Sequence, residues 1–122
     1  MAHIINLKKY SDERGALVAI DDLALPFKIK RVYSIINPKG VRGGHRHKKA
    51  VQAMICLTGS CVLYNNNGEK EEEFLLDSPT KCLILESRDW HQMKDFKDGC
   101  VLQVLASENY DVDDYIDEPY QK

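Results

Sequence analysis

The segment 40–49 of this 122-residue chain, GVRGGHRHKK, carries two histidines, three glycines and four basic residues. Residues i and i+2 of an extended chain point to the same face, so His45 and His47 can project into one cavity. The glycines let the backbone bend closely past a ligand. Histidine titrates near neutral pH, which suits it to proton transfer. The segment therefore predicts an acid–base site rather than a solvated basic turn.

Short strands must position this segment, because turn signals such as Thr58-Gly59 and Asp98-Gly99 alternate with runs of valine, isoleucine, leucine and tyrosine. Strands are predicted over 16–20, 29–37, 51–57, 60–65, 72–76, 82–86 and 101–106. Asn67-Gly68 predicts a hairpin turn of type I′, and residues around 111–116 predict a short helical turn. Seven or more closely spaced strands favour an all-β sandwich or jelly roll in a single domain, residues 1–122.

Composition excludes several classes of protein. Hydrophobic residues make up 43% and charged residues 30%, which is typical of a globular chain rather than a disordered one. A net charge of −2 argues against nucleic acid as a partner. No apolar run reaches the ~20 residues of a membrane span, and the N-terminus has no signal-peptide pattern, so we expect a cytoplasmic protein without a membrane partner.

The four cysteines are Cys56, Cys61, Cys82 and Cys100. None forms a C-x-x-C pair, and each lies among apolar residues. In a chain without an export signal this pattern predicts buried free thiols rather than disulfides or a structural zinc site.

The histidine segment resembles the first signature of the cupin superfamily, in which His-x-His precedes a glutamate and a glycine. Here Gln52 stands where the glutamate is expected, Gly59 follows, and His91 matches the last residue of the second signature. The resemblance implies a cupin-type jelly roll, or double-stranded β-helix barrel. His45, His47 and His91 could hold a metal, but a neutral amide is a poorer ligand than the missing carboxylate, so we predict no metal.

An ordered set of motifs over about residues 10–117 resembles the WxcM-like sugar-nucleotide ketoisomerases, the dTDP-4-keto-6-deoxyglucose 3,4-ketoisomerases. The set consists of Arg14-Gly15-x-Leu17, Arg31-Val32-Tyr33, Arg42-Gly43-x-His45-x-His47-Lys48, Leu57-x-Gly59-Ser60, Trp90-x-x-Met93-x-Asp95-Phe96 and the run from Val104 to Ile116. This resemblance implies an isomerase of deoxysugar biosynthesis, for a surface polysaccharide or glycan, that needs no cofactor. It also implies a homodimer, in which an exchanged N-terminal strand can bring Arg14 to the partner's pocket.

The implied reaction moves a ketone from carbon 4 to carbon 3 of the dTDP-linked sugar through an enediol. We assign His47 as the base and His45 as the neighbouring acid–base group, because like charges keep two adjacent histidines from being protonated together. Tyr33 can shuttle a proton or hold the carbon-4 oxygen, although a core-edge tyrosine is the alternative. His91 as the acid on the opposite face would favour a galacto product.

The remaining predicted residues bind the substrate. The diphosphate favours guanidinium partners, for which Arg42 and Arg14 are the first candidates and Arg31 a further one. Gln52 and Trp90 are assigned to the sugar or the base, with a core tryptophan as the alternative. Three other functions stay open at this point: a dTDP-sugar 3,5-epimerase, which wants a His–Asp pair that the sequence does not reveal, a non-catalytic sugar-nucleotide-binding cupin, and a metal-dependent dioxygenase.

Overall fold

The computed structural model describes residues 1–121, which form strands, turns and one short 3-10 turn, Val112–Asp114. The strands are β1 (His3–Asn6), β2 (Lys9–Asp12), β3 (Gly15–Val18), β4 (Arg31–Ile36), β5 (Arg42–His47), β6 (Gln52–Asn66), β7 (Glu71–Leu76), β8 (Lys81–Leu85), β9 (Trp90–Ala106) and β10 (Tyr115–Ile116). The all-β class is therefore confirmed. Within the described residues, no helix has the length and apolar character that crossing a membrane requires.

Two long antiparallel strands, β6 and β9, form the spine of the molecule and pair from Gln52↔Ala106 to Asn66↔Trp90. Both bend where their register shifts, and we call residues 57–60 and 97–100 the kink. Gly59 has φ 70° there, and a Cβ at this position would overlap the carbonyl oxygen of Lys97, so only glycine fits.

The kink gives each long strand different neighbours on its two sides. β8 pairs with the start of β6, and β7 pairs with its end. Along β9, β5 pairs with the beginning and β4 with the end. β1 extends the sheet beyond β8, and β10 extends it beyond β5. The hairpin β2–β3 forms a separate two-stranded sheet.

Alternating residues of the first half of β6 supply two hydrophobic clusters, which explains why this stretch is buried on both faces. Met54 and Cys56 belong to the larger cluster, together with Leu102 of β9. Ala53 and Ile55 belong to the smaller one, which the partly buried side chains of residues 20–29 help to cover. Strand pairing and burial on both faces hold the start of β6, and therefore Gln52, in a fixed place.

The strand predictions are largely confirmed, and the main error is at the kink. The predicted strands 51–57 and 60–65 are one strand, and 101–106 is only the second half of β9, because Thr58-Gly59 and Asp98-Gly99 are bulges rather than turns. The strands β1, β2, β5 and β10 are not among the predicted strands. The helical turn at 111–116 is confirmed as a 3-10 turn.

The hairpin predicted at Asn67-Gly68 is confirmed by the pairing of β6 with β7, but its turn type is wrong. Residues 67–70 form a four-residue connection, and of the pair only Gly68 has a positive φ. The side-chain oxygen of Asn67 accepts the backbone N–H groups of Glu69 and Lys70, which stabilises the longer loop.

Candidate active site

Three histidines meet where β5 crosses β9. His45 lies opposite His91 in the β5–β9 pair, with ring centroids 5.1 Å apart, and the ring of His47 is 5.2 Å from that of His45. Tyr115 of β10 lies opposite His47, and its ring centroid is 4.7 Å from each β5 histidine. The two histidines predicted to share a cavity are therefore neighbours in space.

A bulge between Gly43 and His45 lets β5 approach β9 closely at this point. Gly43 has φ 85°, and a Cβ there would lie 3.0 Å from the carbonyl oxygen of His91. Any other residue would be strained by this φ, and the His91 backbone would have to shift by a few tenths of an ångström to accommodate the Cβ. The glycine is thus a requirement of the histidine cluster.

A buried carboxylate fixes the orientation of His47. Its Nδ1 lies 3.0 Å from Oδ2 of Asp114, whose two oxygens also accept the backbone N–H groups of Lys49 and Ala50. Burial raises the pKa of Asp114, but the two backbone hydrogen bonds and His47 outweigh it, so the carboxyl has a lowered pKa. An ionised carboxylate can only accept, so Nδ1 of His47 carries the proton and Nε2 has a free lone pair.

A backbone carbonyl fixes His91 in the same way. Nδ1 of His91 lies 3.0 Å from the carbonyl oxygen of Asp89, which can only accept, so Nε2 is unprotonated. Complete burial lowers the pKa of His91 to about 3. A neutral ring without a proton on Nε2 cannot protonate the sugar at neutral pH. The acid role predicted for His91, and the galacto product inferred from it, therefore lose their basis.

Burial also lowers the pKa of His45 and of His47. For His45 the charge of His47 adds to this effect, whereas for His47 the carboxylate of Asp114 opposes it. Both rings are therefore neutral at pH 7 and able to accept a proton.

The histidine cluster opens into a cavity of about 430 Å³, lined by Arg31, Tyr33, Arg42, His45, His91 and Tyr115 among others. This volume lies within the range of small-molecule sites. His47 and Gln52 line a much smaller adjoining pocket of about 10 Å³. His45 is therefore the β5 histidine that a ligand in the large cavity meets directly.

Tyr33 and Gln52 form a polar pair beside the histidines. Nε2 of Gln52 donates to the Tyr33 hydroxyl at 3.2 Å, while Oε1 of Gln52 is buried without a partner in the described structure. Burial raises the pKa of Tyr33, so its hydroxyl is protonated at neutral pH and can donate to a ligand oxygen. The predicted position of Tyr33 at the cavity agrees with this geometry.

Two arginines, Arg31 and Arg42, place positive charge at the lining of the cavity. The guanidinium of Arg31 lies over the rings of Tyr33 and Tyr110, at 4.4 and 5.2 Å from their centroids. Neither Arg31 nor Arg42 forms an ion pair with a carboxylate within residues 1–121. Their charges are therefore left available to an anionic ligand.

Two predicted residues lie away from this cavity. Arg14 is at the tip of the β2–β3 hairpin, where it pairs with Asp12 at 2.6 Å and its side chain is 86% exposed. Trp90 is nearly buried, and its indole N–H donates to the carbonyl oxygen of Asp117 at 3.0 Å. Within one chain, neither residue is part of the cavity lining, and their assigned roles stay predictions.

The sequence analysis missed two members of the site, Asp114 and Tyr115. The sequence does not reveal a His–Asp pair, but in the structure Nδ1 of His47 lies 3.0 Å from Oδ2 of Asp114. The available signal was the Asp114-Tyr115-Ile116 part of the family motif. Asp114 and Tyr115 follow the last long strand. A short segment in this position can fold over the site, so its carboxylate and phenol are candidate site residues.

The three histidines also form a set that could hold a metal ion, since one ring nitrogen of each lies within 4.8 Å of the others. Neutral imidazoles are suitable ligands for zinc, iron, nickel and copper. The carboxylate ligand expected from the cupin signature is replaced by Gln52. The ligands present therefore fit a metal site made of three imidazoles better than the site of histidines and one glutamate that the cupin signature implies.

Comparisons with known proteins decide the family. A family model described as "FdtA: WxcM-like, C-terminal" matches residues 1–122. The chain belongs to this family. A curated relative from Aneurinibacillus thermoaerophilus, a TDP-4-oxo-6-deoxy-alpha-D-glucose-3,4-oxoisomerase, is 48% identical over 116 residues, covering 93% of this chain and 84% of the relative. The predicted family is confirmed.

Solved structures agree with this placement. The chain is similar to the 3,4-ketoisomerase QdtA of Thermoanaerobacterium thermosaccharolyticum, crystallised as a histidine-to-asparagine mutant with TDP-4-keto-6-deoxyglucose (39% identity, TM-score 0.91, 96% and 87% of the two chains). It is also similar to the TDP-quinovose 3,4-ketoisomerase WlaRB of Campylobacter jejuni (39% identity, TM-score 0.90, 96% and 92%).

A more distant neighbour supports the fold alone. The 3'-monoepimerase ChmJ of Streptomyces bikiniensis has a TM-score of 0.81 at 16% identity over 93% of this chain and 67% of its own. With the ketoisomerases, it confirms the predicted cupin-type jelly roll.

Proposed function

We propose that this chain is a 3,4-ketoisomerase that converts TDP-4-keto-6-deoxyglucose, the dTDP-linked sugar expected above, into its 3-keto isomer. The observation that carries the proposal is a cavity in which neutral His45 stands beside a protonated tyrosine and two unpaired arginines. The relatives named above act on or bind sugars of this class. A base, an oxygen donor and a diphosphate site are the three elements that the reaction needs.

The reaction begins with removal of the proton from carbon 3 of the sugar. His45 accepts this proton, the electron pair of the C3–H bond forms a C3=C4 double bond, and the carbon-4 oxygen takes the negative charge. The O3 proton then moves to the carbon-4 oxygen, a carbonyl forms at carbon 3, and carbon 4 takes a proton back from the protonated His45. The two carbons exchange oxidation state, so the net reaction needs no redox cofactor.

The exposure of the rings changes the roles that the sequence suggested. His47 was assigned as the base, but it is only 4% exposed and lines the small pocket rather than the large cavity. We therefore assign the base to His45. His47, held by Asp114, packs with its ring 5.2 Å from that of His45 and lowers the pKa of His45, which favours the neutral form of the base.

Tyr33 stabilises the enediolate. Its hydroxyl is protonated at neutral pH and lines the cavity, with Gln52 donating to it from behind. A tyrosine that accepts one hydrogen bond is oriented to donate another, here to the carbon-4 oxygen. A fixed donor at a developing oxyanion contributes about 3 kcal/mol to such a transition state.

Arg31 and Arg42 bind the diphosphate. Arg31 is held in place by the tyrosine rings beneath it, and neither guanidinium is neutralised by a carboxylate within the described residues. A planar guanidinium donates hydrogen bonds to two phosphate oxygens at once, which positions the sugar as well as binding it.

The functional unit is a cytoplasmic homodimer of single-domain chains. The β2–β3 hairpin stands apart from the main sheet and exposes Tyr10 and Leu17 at 56% and 59%. A second subunit that covers these apolar side chains would remove them from water. Arg14 lies at the tip of the same hairpin, so this arrangement also gives it a route to the partner's pocket.

Turnover in D₂O tests the proposed function. The ketoisomerase reaction should leave deuterium at carbon 4 of a 3-keto product, which proton NMR and mass spectrometry detect. A 3,5-epimerase would place deuterium at carbons 3 and 5 and keep the ketone on carbon 4. Binding without exchange at any carbon would identify a non-catalytic sugar-nucleotide-binding protein.

Metal analysis tests the alternative use of the histidine cluster. Protein purified without chelator should keep its full turnover after exhaustive treatment with EDTA. Loss of activity on chelation, with recovery on adding iron, manganese or nickel, would contradict a reaction carried by side chains alone and favour the metal-dependent cupin.

A further inference from the structure

Three of the four cysteines lie together at the kink, on the other part of β9 from the histidines. Cys56 and Cys61 come from β6 and Cys100 comes from β9, and we call them the kink thiols. Their sulfur atoms all lie within 4.8 Å of one another, and those of Cys56 and Cys100 are 3.4 Å apart. The fourth cysteine, Cys82, belongs to the other hydrophobic cluster on β8.

The strand register explains why Cys56 and Cys100 meet. Cys56 lies opposite Leu102, so Cys100 is the diagonal neighbour two residues away on the same face of β9. The register shifts of the kink then bring Cys61, five residues after Cys56, to the same place. The contact is therefore set by the backbone of the two longest strands.

A surface depression leads to this cluster. It has a volume of about 550 Å³, and Cys100 lines it together with Lys39, Phe96 and Lys97. Cys100 is itself only 2% exposed and Cys56 is fully buried, so large reagents are excluded. A small uncharged oxidant that enters the depression reaches the wall to which Cys100 belongs.

The apolar environment of the kink thiols favours a reaction whose product is uncharged. The kink thiols are embedded in the larger hydrophobic cluster, with Met54, Leu63 and Leu102 among its members. Three thiolates around a divalent metal would bury a net negative charge, which an apolar environment strongly disfavours. A disulfide is neutral, and it replaces two thiols without adding volume.

We propose that Cys56 and Cys100 are a site of reversible oxidation, at which a hydroperoxide joins β6 to β9 by a disulfide bond. The thiolate of Cys56 attacks one peroxide oxygen, the O–O bond breaks, and hydroxide or alkoxide leaves, giving a sulfenic acid on Cys56. The sulfur of Cys100 then attacks the sulfenic sulfur, the S–O bond breaks, and water leaves with the Cys100 proton. Two thiols are oxidised, and one peroxide is reduced.

The surroundings of the four thiols favour this order of events. The hydrogen bond with Cys61 lowers the pKa of Cys56, with a smaller contribution from Cys100, so Cys56 is the member that ionises most readily. Burial raises the pKa of Cys82 to about 11, and no other cysteine lies beside it in its cluster. Cys82 is therefore a control within the same chain.

The test is oxidation of the intact, reduced protein with hydrogen peroxide. The titratable thiols, counted after denaturation, should fall from four to two, and dithiothreitol should restore all four. The intact mass should fall by ~2 Da, the mass of two hydrogens, and a non-reduced peptide map should show a Cys56–Cys100 link. A count that stays at four, a link that includes Cys82, or a link between two chains would overturn the proposal.

Alanine variants show which of the three kink thiols form the disulfide. Cys61→Ala should still lose two thiols, and Cys56→Ala should keep its remaining three. Cys100→Ala should lose only the Cys56 thiol, as a sulfenic acid that has no partner with which to form the disulfide. Circular dichroism of each variant checks the fold, and the peptide map of the unchanged protein decides the matter if an alanine variant fails to fold. Loss of two thiols in Cys100→Ala would contradict the assigned partner.

Discussion

The histidine cluster and the kink thiols are built alike but surrounded differently. Each takes two side chains from one strand and a third from β9, and each lies at a shift in strand register. The histidines are held by polar groups outside the cluster, namely Asp114 and the carbonyl of Asp89. The thiols contact chiefly one another and a backbone carbonyl within the core.

This difference shows what turns a group of titratable side chains into a directional acid–base site. An external anchor decides which nitrogen of His47 and which nitrogen of His91 carries the proton, so the two rings beside His45 have fixed orientations. Thiols that have only one another as partners share their protons, and a covalent bond between them is the simplest reaction. The anchors, more than the residue types, separate the two chemistries.

Among the substitutions that test this difference, the largest loss of activity is expected at His45. Replacing it with asparagine should lower kcat about 10³-fold with little change in KM, because a general base contributes about 10²–10⁴-fold to a rate. Steady-state kinetics with TDP-4-keto-6-deoxyglucose measure this. His3→Asn, on the exposed first residue of β1, is the matched control and should be fully active. A greater loss in His47→Asn than in His45→Asn would return the base role to His47.

The next largest loss of activity is expected at Asp114, which holds His47. Asp114→Asn should lower kcat about 10²-fold, because an amide can donate to Nδ1 of His47 and so move the ring proton to Nε2. Asp114 raises the pKa of His47, so the acid limb of the kcat/KM profile should also change. Asp113→Asn, on the exposed neighbour in the same 3-10 turn, should change neither. A fall in activity with an unaltered pH profile would make Asp114 merely structural.

The anchors are also what the sequence could not reveal. His45 and His47 are two residues apart, so the period of an extended chain predicts that they share a face. His47 and Asp114 are 67 residues apart, and only the β5–β10 pairing brings them together. No local pattern carries this contact. Arg31 and Tyr33, by contrast, are two residues apart on β4, so the same period places them on one face.

The kink was missed for a related reason. A sequence does not show whether a glycine ends a strand in a turn or bends it at a bulge. The pairing with the neighbouring strand determines which of the two forms. Gly59 and Gly99 lie on facing strands, so their bends coincide and the ladder continues through both. The strand runs were therefore predictable, whereas their fusion into β6 and β9 was not.

Substitution at the kink should affect stability rather than activity. Gly59→Ala should lower the free energy of unfolding by at least about 2 kcal/mol, because the left-handed conformation costs about 1 kcal/mol and the new Cβ overlaps the carbonyl of Lys97. Gly99→Ala has a similar φ with open space around it, so only the smaller cost of about 1 kcal/mol applies. Urea denaturation measures both. Equal losses would mean that the kink tolerates a side chain.

A further effect concerns His91 and the dependence of stability on pH. The folded-state pKa of His91, about 3, lies below its ordinary value of 6.5, because burial disfavours the charged ring. The unfolded chain therefore binds a proton that the folded chain does not, and the free energy of unfolding falls as pH drops from about 6.5 toward 3. Each pH unit in this window costs about 1.4 kcal/mol for this group.

His91→Asn keeps a donor for the Asp89 carbonyl but cannot titrate. Its free energy of unfolding, measured in urea between pH 6 and pH 4, should therefore fall less steeply than that of the unchanged protein, by about 1.4 kcal/mol per pH unit. This window lies above the ordinary pKa of aspartate, so protonation of Asp114 does not intervene. His3→Asn again provides the comparison at an exposed site. Identical slopes in the two variants would show that the His91 ring takes up a proton inside the folded cluster, so that burial does not keep it neutral.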